Sequence, residues 1–352
     1  MPIINVWKEN MKPIPHRYSR QVLFNGIGEQ GQARIMNSRV VVVGCGALGA
    51  VQTSLLARAG VGTLRIIDRD FVDESNLQRQ ILFDEEDVRD LFPKAAAAEK
   101  KLHVVNSLVN VEGIVDEVNP STVNRLLGGF DLIMDASDNF DVRFLINEYA
   151  VKNNIPWIYG ACVGSYGLTF PIIPGQGACL RCVFESAPPP GVSPSCDTAG
   201  VIGPIVGTIA SIQVAEALKL LSGARDRVRR KITTIDLWEN RYDAIDLPQS
   251  FADCACCGRH EYPYMDGALG ADAATLCGRN SVQIRPNRQV KIDFDDLAAR
   301  LAPLGTVEHN RFLLRAGIDG YQITVFSDGR AVIQATYDVT MAKSLYSRYV
   351  GN

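Results

Sequence analysis

The sequence predicts an α/β protein: a doubly wound, mostly parallel sheet followed by a small α+β domain. Three observations carry this. The run Gly44-Cys45-Gly46-Ala47-Leu48-Gly49 joins a valine-rich strand to an apolar helix, and Asp68 ends the strand after it. Strand and helix patterns then alternate as far as Trp238. Near Gly258 the pattern changes to short strands with a tight hairpin turn. The boundary is placed there, giving domains 1–258 and 259–352. A chain of 352 residues suits two domains at roughly 150 residues each.

Each element follows from its local pattern. Arg39 to Val43 is almost all valine and reads as a buried parallel strand. Leu48, Val51, Leu55, Leu56 and Ala59 then share one face at helical spacing. Gly44 permits the tight turn, Gly46 lets backbone approach a phosphate, and Gly49 lets helix and strand pack closely. The free N–H groups at the helix start favour an anion. Thr63 to Ile67 is the next strand, and Asp68 is placed to accept ribose hydroxyls. This Rossmann-like unit therefore predicts a nucleotide site, the bland reading being a packing turn.

Further along, Lys94 to Asn106 reads as a helix, Val109 to Val115 as a strand and Ser121 to Leu127 as a short helix. Asp131 to Asp135 is a buried strand, Phe140 to Asn153 a helix, and Pro156 to Cys162 and Gly167 to Ile173 are strands. Ser186 to Gly200 holds four prolines and reads as a long crossing loop. Pro204 to Leu221 is an apolar helix and Lys231 to Trp238 a strand. In the second domain, Ser281 to Arg285, Asp293 to Leu301, Arg311 to Arg315, Tyr321 to Phe326 and Ala331 to Ala335 read as strand, helix and three strands. Asp328-Gly329 marks a hairpin, and Met341 to Tyr349 closes with a helix. His309 reads as a turn or surface residue.

Composition bounds the function. The chain is 47% hydrophobic and 21% charged, ordinary for a globular protein. Its formal charge of −3 gives no support for nucleic-acid binding. No apolar run suggests a bilayer span, and Met1 to Lys12 lacks a signal-peptide core. A cytoplasmic location is expected. Nine cysteines, with no export signal, point to metal binding or reactivity over a disulfide framework.

Asn76-Leu77-Gln78-Arg79-Gln80 follows Asp68, and Lys94 begins a helix after Pro93. A redox cofactor has no need of this set. Arg79 and Lys94 suit the β- and γ-phosphates of ATP and the charge of leaving pyrophosphate. Asp138 lies at the carboxyl end of the sheet, where ligands bind in such folds. A carboxylate beside a triphosphate most simply holds Mg2+. The rival readings are a solvated surface for the cations and a helix cap for Asp138; Arg143 has a local acid as its alternative partner. Cys179-Leu-Arg-Cys182 and Cys254-Ala-Cys-Cys257 are two CxxC pairs. Together they suit a closed tetrahedral Zn2+ site, with a dithiol redox pair as the alternative and Cys256 as a substitute ligand. Cys196 lies just before a helix start and is either a nucleophile or an inert loop thiol. Cys45 and Cys162 read as packing residues, and Cys277 has no assigned role.

From Arg17 to about Cys257 these motifs resemble the ThiF/MoeB/HesA family, bacterial relatives of ubiquitin-activating enzymes. The resemblance rests on Arg17-Tyr-Ser-Arg20-Gln21, the GCGALG turn, Asp68, the Asn76–Gln80 run, Lys94, Ser137-Asp138-Asn139, both CxxC pairs and Cys196-Asp-Thr-Ala-Gly. It implies ATP-dependent adenylylation of the C-terminal glycine of a ubiquitin-like sulfur carrier ending in Gly-Gly. The thiolated carrier would serve thiamin or molybdenum cofactor biosynthesis, with a separate protein as sulfur donor. By the same resemblance, Asp68 holds ribose, Asn76, Arg79 and Lys94 the phosphates, Asp138 Mg2+, and four cysteines Zn2+. Arg20 matches an arginine lent to the neighbouring subunit's ATP site, which implies a homodimer. Cys196 matches a cysteine of the later sulfur stage. The second domain resembles that of longer thiazole-biosynthesis adenylyltransferases, and its role is open. One departure is Phe92 before Pro93-Lys94, where many relatives carry a glycine-containing loop. The competing readings are another small protein or a peptide as substrate, an NAD-dependent oxidoreductase, and a binding protein that kept the fold without catalysis.

Overall fold

The computed structural model describes residues 13–187, 199–269, 275–276, 281–284, 292–336 and 338–351. An eight-stranded sheet runs in the order β3-β2-β1-β4-β5-β6-β7-β8. Its strands are β1 (Arg39–Val43), β2 (Thr63–Ile67), β3 (Asn110–Ile114), β4 (Leu132–Asp135), β5 (Trp157–Val163), β6 (Tyr166–Ile172), β7 (Lys231–Asp236) and β8 (Arg241–Asp246). Pairings from β3 through β5 are parallel, and those from β5 to β8 are antiparallel. The parallel half has the doubly wound arrangement expected. The order reverses between β1 and β4, the switch point where such sheets open a ligand crevice.

Alternation along β1 feeds two cores. Val40 and Val42 face one side with Leu64, Ile66 and Leu132. Val41 and Val43 face the other with Ile133, Phe144, Trp157 and Tyr159. Helices cover both faces, so β1 is buried along four of its five residues. The Ala47–Ala59 helix ends at Gly60, whose left-handed backbone (φ 84°) stops it. The Phe140–Asn153 helix begins on Asn139, whose side chain accepts from the Asp141 N–H, and ends on left-handed Asn154.

The Gly203–Ser222 helix has the length and hydropathy of a bilayer span, contrary to the sequence reading. It is packed instead on the main sheet, with Ile205, Val206, Ile209 and Ala210 buried against Leu48, Val51 and Ile235. Gln213 and Glu216 are also buried on it.

A second sheet is antiparallel, in the order β11-β12-β13-β14-β10-β9. Its strands are β9 (Thr275–Leu276), β10 (Ser281–Ile284), β11 (Thr306–His309), β12 (Leu313–Ile318), β13 (Tyr321–Phe326) and β14 (Ala331–Gln334). The Phe294–Leu301 and Val339–Tyr349 helices share its core. The Asp328-Gly329 hairpin turn is present between β13 and β14, with Gly329 at φ 84°. Three strands exceed the sequence reading: β8, β9 and β11. His309 lies on exposed β11 and pairs with Asp295 at 3.6 Å, so it is a surface residue but not a turn.

Candidate active site

The glycine turn sits at the switch point. Gly44 has φ 93°, and a Cβ there would lie 2.5 Å from the Ala136 carbonyl oxygen. A Cβ on Gly49 would lie 2.1 Å from the Gly44 oxygen. Both positions therefore require glycine. Gly46 caps the helix start with open space beside it, its nearest neighbour being the Gln80 amide nitrogen at 3.8 Å from a notional Cβ. This leaves the helix N-terminus open toward an anion.

Asp68 follows β2. Its carboxylate accepts the Cys45 N–H at 2.6 Å and the Asp70 N–H at 2.7 Å. Burial pushes its pKa up, while the Lys94 ammonium pulls against that shift. The carboxylate is thus held rigidly against the glycine turn, with lone pairs to spare for further donors.

Lys94 is the first residue of its helix and its side chain is 3% exposed. Its Nζ lies 3.5 Å from Asp70 Oδ2, and its N–H donates to the Asp70 carbonyl at 2.8 Å. Asn76 and Gln80 are both buried. The Gln80 Oε1 is buried without a hydrogen-bond partner among the described residues, while the amide nitrogen of the same side chain faces Gly46. Arg79 donates to the Ser75 carbonyl at 2.8 Å and is half-buried. The Gly203–Ser222 helix start packs against Gln78 and Arg79. Lys94 is therefore no solvated surface residue, and Arg79 is only partly so.

Asp138 is exposed beyond β4. The helix cap beside it is Asn139, which leaves the Asp138 carboxylate free of that duty. The preceding turn is fixed by Asp135, fully buried at the end of β4. Asp135 accepts the Ser137 N–H and hydroxyl at 2.9 and 2.6 Å, and Arg143 Nε at 3.1 Å. Arg143 also donates to the Ser137 and Gly160 carbonyls. Burial pushes the Asp135 pKa up and the Arg143 charge opposes it. Arg143 thus takes the local acid as partner. Behind it, Gln52 and Gln213 both donate to the Asp135 carbonyl at 3.0 Å, tying two helices to β4.

Sequence reasoning missed Asp135 and Arg69. Arg69 pairs with Glu117 and lies 3.9 Å from Asp70. Burial works against its charge, but Glu117 and Asp70 outweigh it, with Asp138 adding in the same direction. The signal of Arg69 in the sequence was its place directly after Asp68.

At the amino end, Arg17 bonds Asn106 and the Val105 carbonyl, fixing the short Ser19–Val22 helix. Arg20 on that helix is exposed, beside exposed Leu23 and Phe24. Cys196 and Cys277 lie outside the described residues. Cys45 is fully buried in the core, as a packing residue should be, and burial raises its pKa. Cys162 is half-buried with Sγ 3.9 Å from the Ile205 carbonyl.

The two CxxC pairs converge. The Sγ atoms of Cys179, Cys182, Cys254 and Cys257 all lie within 4.8 Å of one another. Three of the separations are 4.0, 3.8 and 3.5 Å. A tetrahedral zinc tetrathiolate with bonds of about 2.3 Å has sulfur–sulfur edges of about 3.8 Å. Four thiols at these distances fit Zn2+ as a closed structural site and not two separate dithiols. Cys256 lies outside this set of four but against it: it is buried, accepts from the Asn147 amide at 3.3 Å, and its thiol hydrogen-bonds Cys179. Asn147 also accepts the Leu180 N–H at 2.8 Å, so it braces both halves of the cluster.

With this geometry in view, a family model described as the ThiF family matches residues 18–256. The chain belongs to the ThiF family. It is 43% identical to the sulfur carrier protein ThiS adenylyltransferase of Bacillus subtilis, over 95% of this chain and 99% of that protein. It is 38% identical to the SAMP-activating enzyme E1 of Haloferax volcanii, over 69% of this chain and 88% of that one. It is 34% identical to a probable adenylyltransferase/sulfurtransferase MoeZ of Mycobacterium tuberculosis, over 81% and 72%. Among solved structures, Escherichia coli MccB with MccA-N7isoASN superposes with a TM-score of 0.61 at 23% identity. That likeness covers 70% of this chain and 75% of MccB, and it bears on the ThiF fold alone. The ThiF match ends just before Cys257, so the second sheet lies beyond it.

Proposed function

We propose that this chain uses ATP to adenylylate the C-terminal glycine of a ubiquitin-like sulfur carrier protein, preparing it for thiocarboxylate formation in thiamin or molybdenum cofactor biosynthesis. The observation that supports this is that Asp68 accepts the Cys45 N–H of the glycine turn, Gln80 lies beside Gly46, and Lys94 lies beside Asp70. The adenylyltransferase names of relatives at 43% and 34% identity support the same chemistry.

In this reading the carrier carboxylate, ionised at neutral pH, attacks the α-phosphorus of ATP. Pyrophosphate leaves and an acyl-adenylate forms. Asp68 holds the ribose, the Gly44–Gly49 turn the phosphate chain, and Asn76, Arg79, Gln80 and Lys94 the β- and γ-phosphates. Catalysis is positioning plus charge neutralisation, so no protein nucleophile is needed. Asp138 is the carboxylate we assign to Mg2+, which when bound neutralises phosphate charge. Arg20 is assigned to the ATP site of a second protomer; exposed Leu23 and Phe24 beside it offer apolar surface for such a homodimer. Cys196 is assigned on sequence alone to the later sulfur step, with sulfur brought by a separate protein. Cys179, Cys182, Cys254 and Cys257 would hold Zn2+ and take no part in the chemistry. We read residues 259–352 as a small domain of its own and the protein as cytoplasmic, with no nucleic-acid or membrane partner.

The test is ATP–pyrophosphate exchange with purified chain, Mg2+ and carriers ending in Gly-Gly. Exchange should need one carrier and disappear in Asp138→Ala. Carrier-independent exchange would sink the proposal, and exchange supported only by a peptide would favour a peptide substrate instead.

A further inference from the structure

We propose that the second sheet is a positioning element for the phosphate-binding lysine, with Asn310 acting through the backbone that leads into Lys94. This rests on the assignment of Lys94 to the terminal phosphates of ATP.

Lys94 belongs to neither large sheet's ladder. It is fixed by a short antiparallel contact in which Phe71 bridges Pro93. Val72 N–H donates to the Phe92 carbonyl at 2.9 Å, and Lys94 N–H to the Asp70 carbonyl at 2.8 Å. Two backbone bonds alone leave such a pair free to shift. The second sheet grips both of its strands from outside. Asn310, between β11 and β12, donates its amide to the Asp90 and Leu91 carbonyls at 2.9 and 3.1 Å. These carbonyls end the Glu85–Arg89 helix and lack partners within it. Leu91 has φ 52°, a left-handed conformation that a leucine keeps only when its surroundings impose it. Its side chain is buried with Leu313 and Phe326 of the second sheet. The Phe92 and Phe312 rings lie 5.6 Å apart, and the Arg315 guanidinium sits 4.6 Å over the Phe71 ring.

A second hold reaches the neighbouring Arg69. Gln283 on β10 donates to Glu117 at 3.2 Å, and Glu117 is the carboxylate that pairs with Arg69. The sheet thus touches the supports of both cations that flank Asp70. A domain serving only as a cover would not place an amide on the two carbonyls that precede the lysine helix.

Asn310→Asp isolates the contact. Its Oδ1 can still accept the Phe312 and Leu313 N–H groups that shape its own turn, but both donations to Asp90 and Leu91 are lost. In the full-length chain, ATP and AMP affinities are measured by calorimetry. The expected result is ATP binding weakened about five- to tenfold, with AMP binding changed less than about twofold. An effect on general stability alone would weaken both nucleotides alike, and that outcome overturns the inference. Phe312→Leu, which keeps an apolar side chain and removes the ring contact, should lower the ATP-to-AMP preference in the same direction. Lys94→Ala separates the two levels of the argument. If it leaves that preference unchanged, the assignment of Lys94 fails and the inference with it. If it abolishes the preference while Asn310→Asp and Phe312→Leu keep it, only the positioning role is refuted.

Discussion

Asp135→Ala tests how the Asp138 turn is held. Asp135 and the Arg143 side chain are 0% and 7% exposed, so the pair is desolvated on both sides. The carboxylate accepts from Ser137 twice and from Arg143 once at normal hydrogen-bond lengths. Removing it leaves a buried guanidinium without its counter-charge, although the Ser137 and Gly160 carbonyls still accept from it. Breaking one side of such a pair costs about 3–5 kcal/mol. For a large domain this lowers the melting temperature by on the order of 10 °C. Arg143→Met removes the opposite partner and leaves Asp135 unbalanced. The double variant should lose less than the sum of the single losses, with a coupling of about 2 kcal/mol. The assay is urea unfolding of the zinc-loaded chain, paired with ATP–pyrophosphate exchange. Exchange should fall at least about tenfold in Asp135→Ala, because the turn that presents Asp138 is freed. An unfolding free energy within about 0.5 kcal/mol of the parent, with additive single effects, would refute the reasoning.

Removing the metal is the next test. Purified chain should carry one zinc ion, and Cys182→Ser should release it and lower the melting temperature by on the order of 10 °C; metal analysis with a thermal melt checks both. Glu148 gives a pH signature. It is 1% exposed, and burial raises its pKa from 4.5 to about 7 against the backbone N–H groups of Met265 and Tyr264. Because the folded value is the higher one, its contribution to stability is present below pH 4.5 and lost as pH rises through 7. Glu148→Gln should therefore be more stable than the parent at high pH by about 1–3 kcal/mol, with the gain shrinking toward low pH. Urea unfolding at both ends of that range measures it, and a gain independent of pH would count against the assignment.

Much of the first sheet was legible because its signals are local. β1 and β2 fall on the valine-rich and β-branched runs, and so does β13 of the second sheet. The hairpin at Gly329 and the CxxC pairs likewise depend on residues a few positions apart. Two of the missed strands lack a buried face to mark them. β8 is exposed along its whole length, and β11 nearly so, and neither shows an apolar alternation with a core behind it. The Gly203–Ser222 helix was read as an apolar helix of the fold, and it is one. Its apolar length reflects burial between the sheet and the Ala47–Ala59 helix, a feature of packing that composition does not distinguish from lipid. The positions of Asp68, Lys94 and Asp138, to which we assign the nucleotide and Mg2+, were readable from strand and helix ends. The roles of Asp135 and Gln213 were not. Gln52 and Gln213 are 161 residues apart in sequence and meet only because two helices cross over β4. Asn310, likewise, reads as a loop residue until the fold sets it under Asp90.

The most direct measurement is the intact mass of the carrier after incubation with the chain, ATP and Mg2+ in the absence of a sulfur source. The expected product is a carrier heavier by one adenylyl group on its terminal glycine, absent with Asp138→Ala and with a carrier lacking that glycine. An unmodified carrier alongside ATP consumption, or a label on any other residue, would contradict the account.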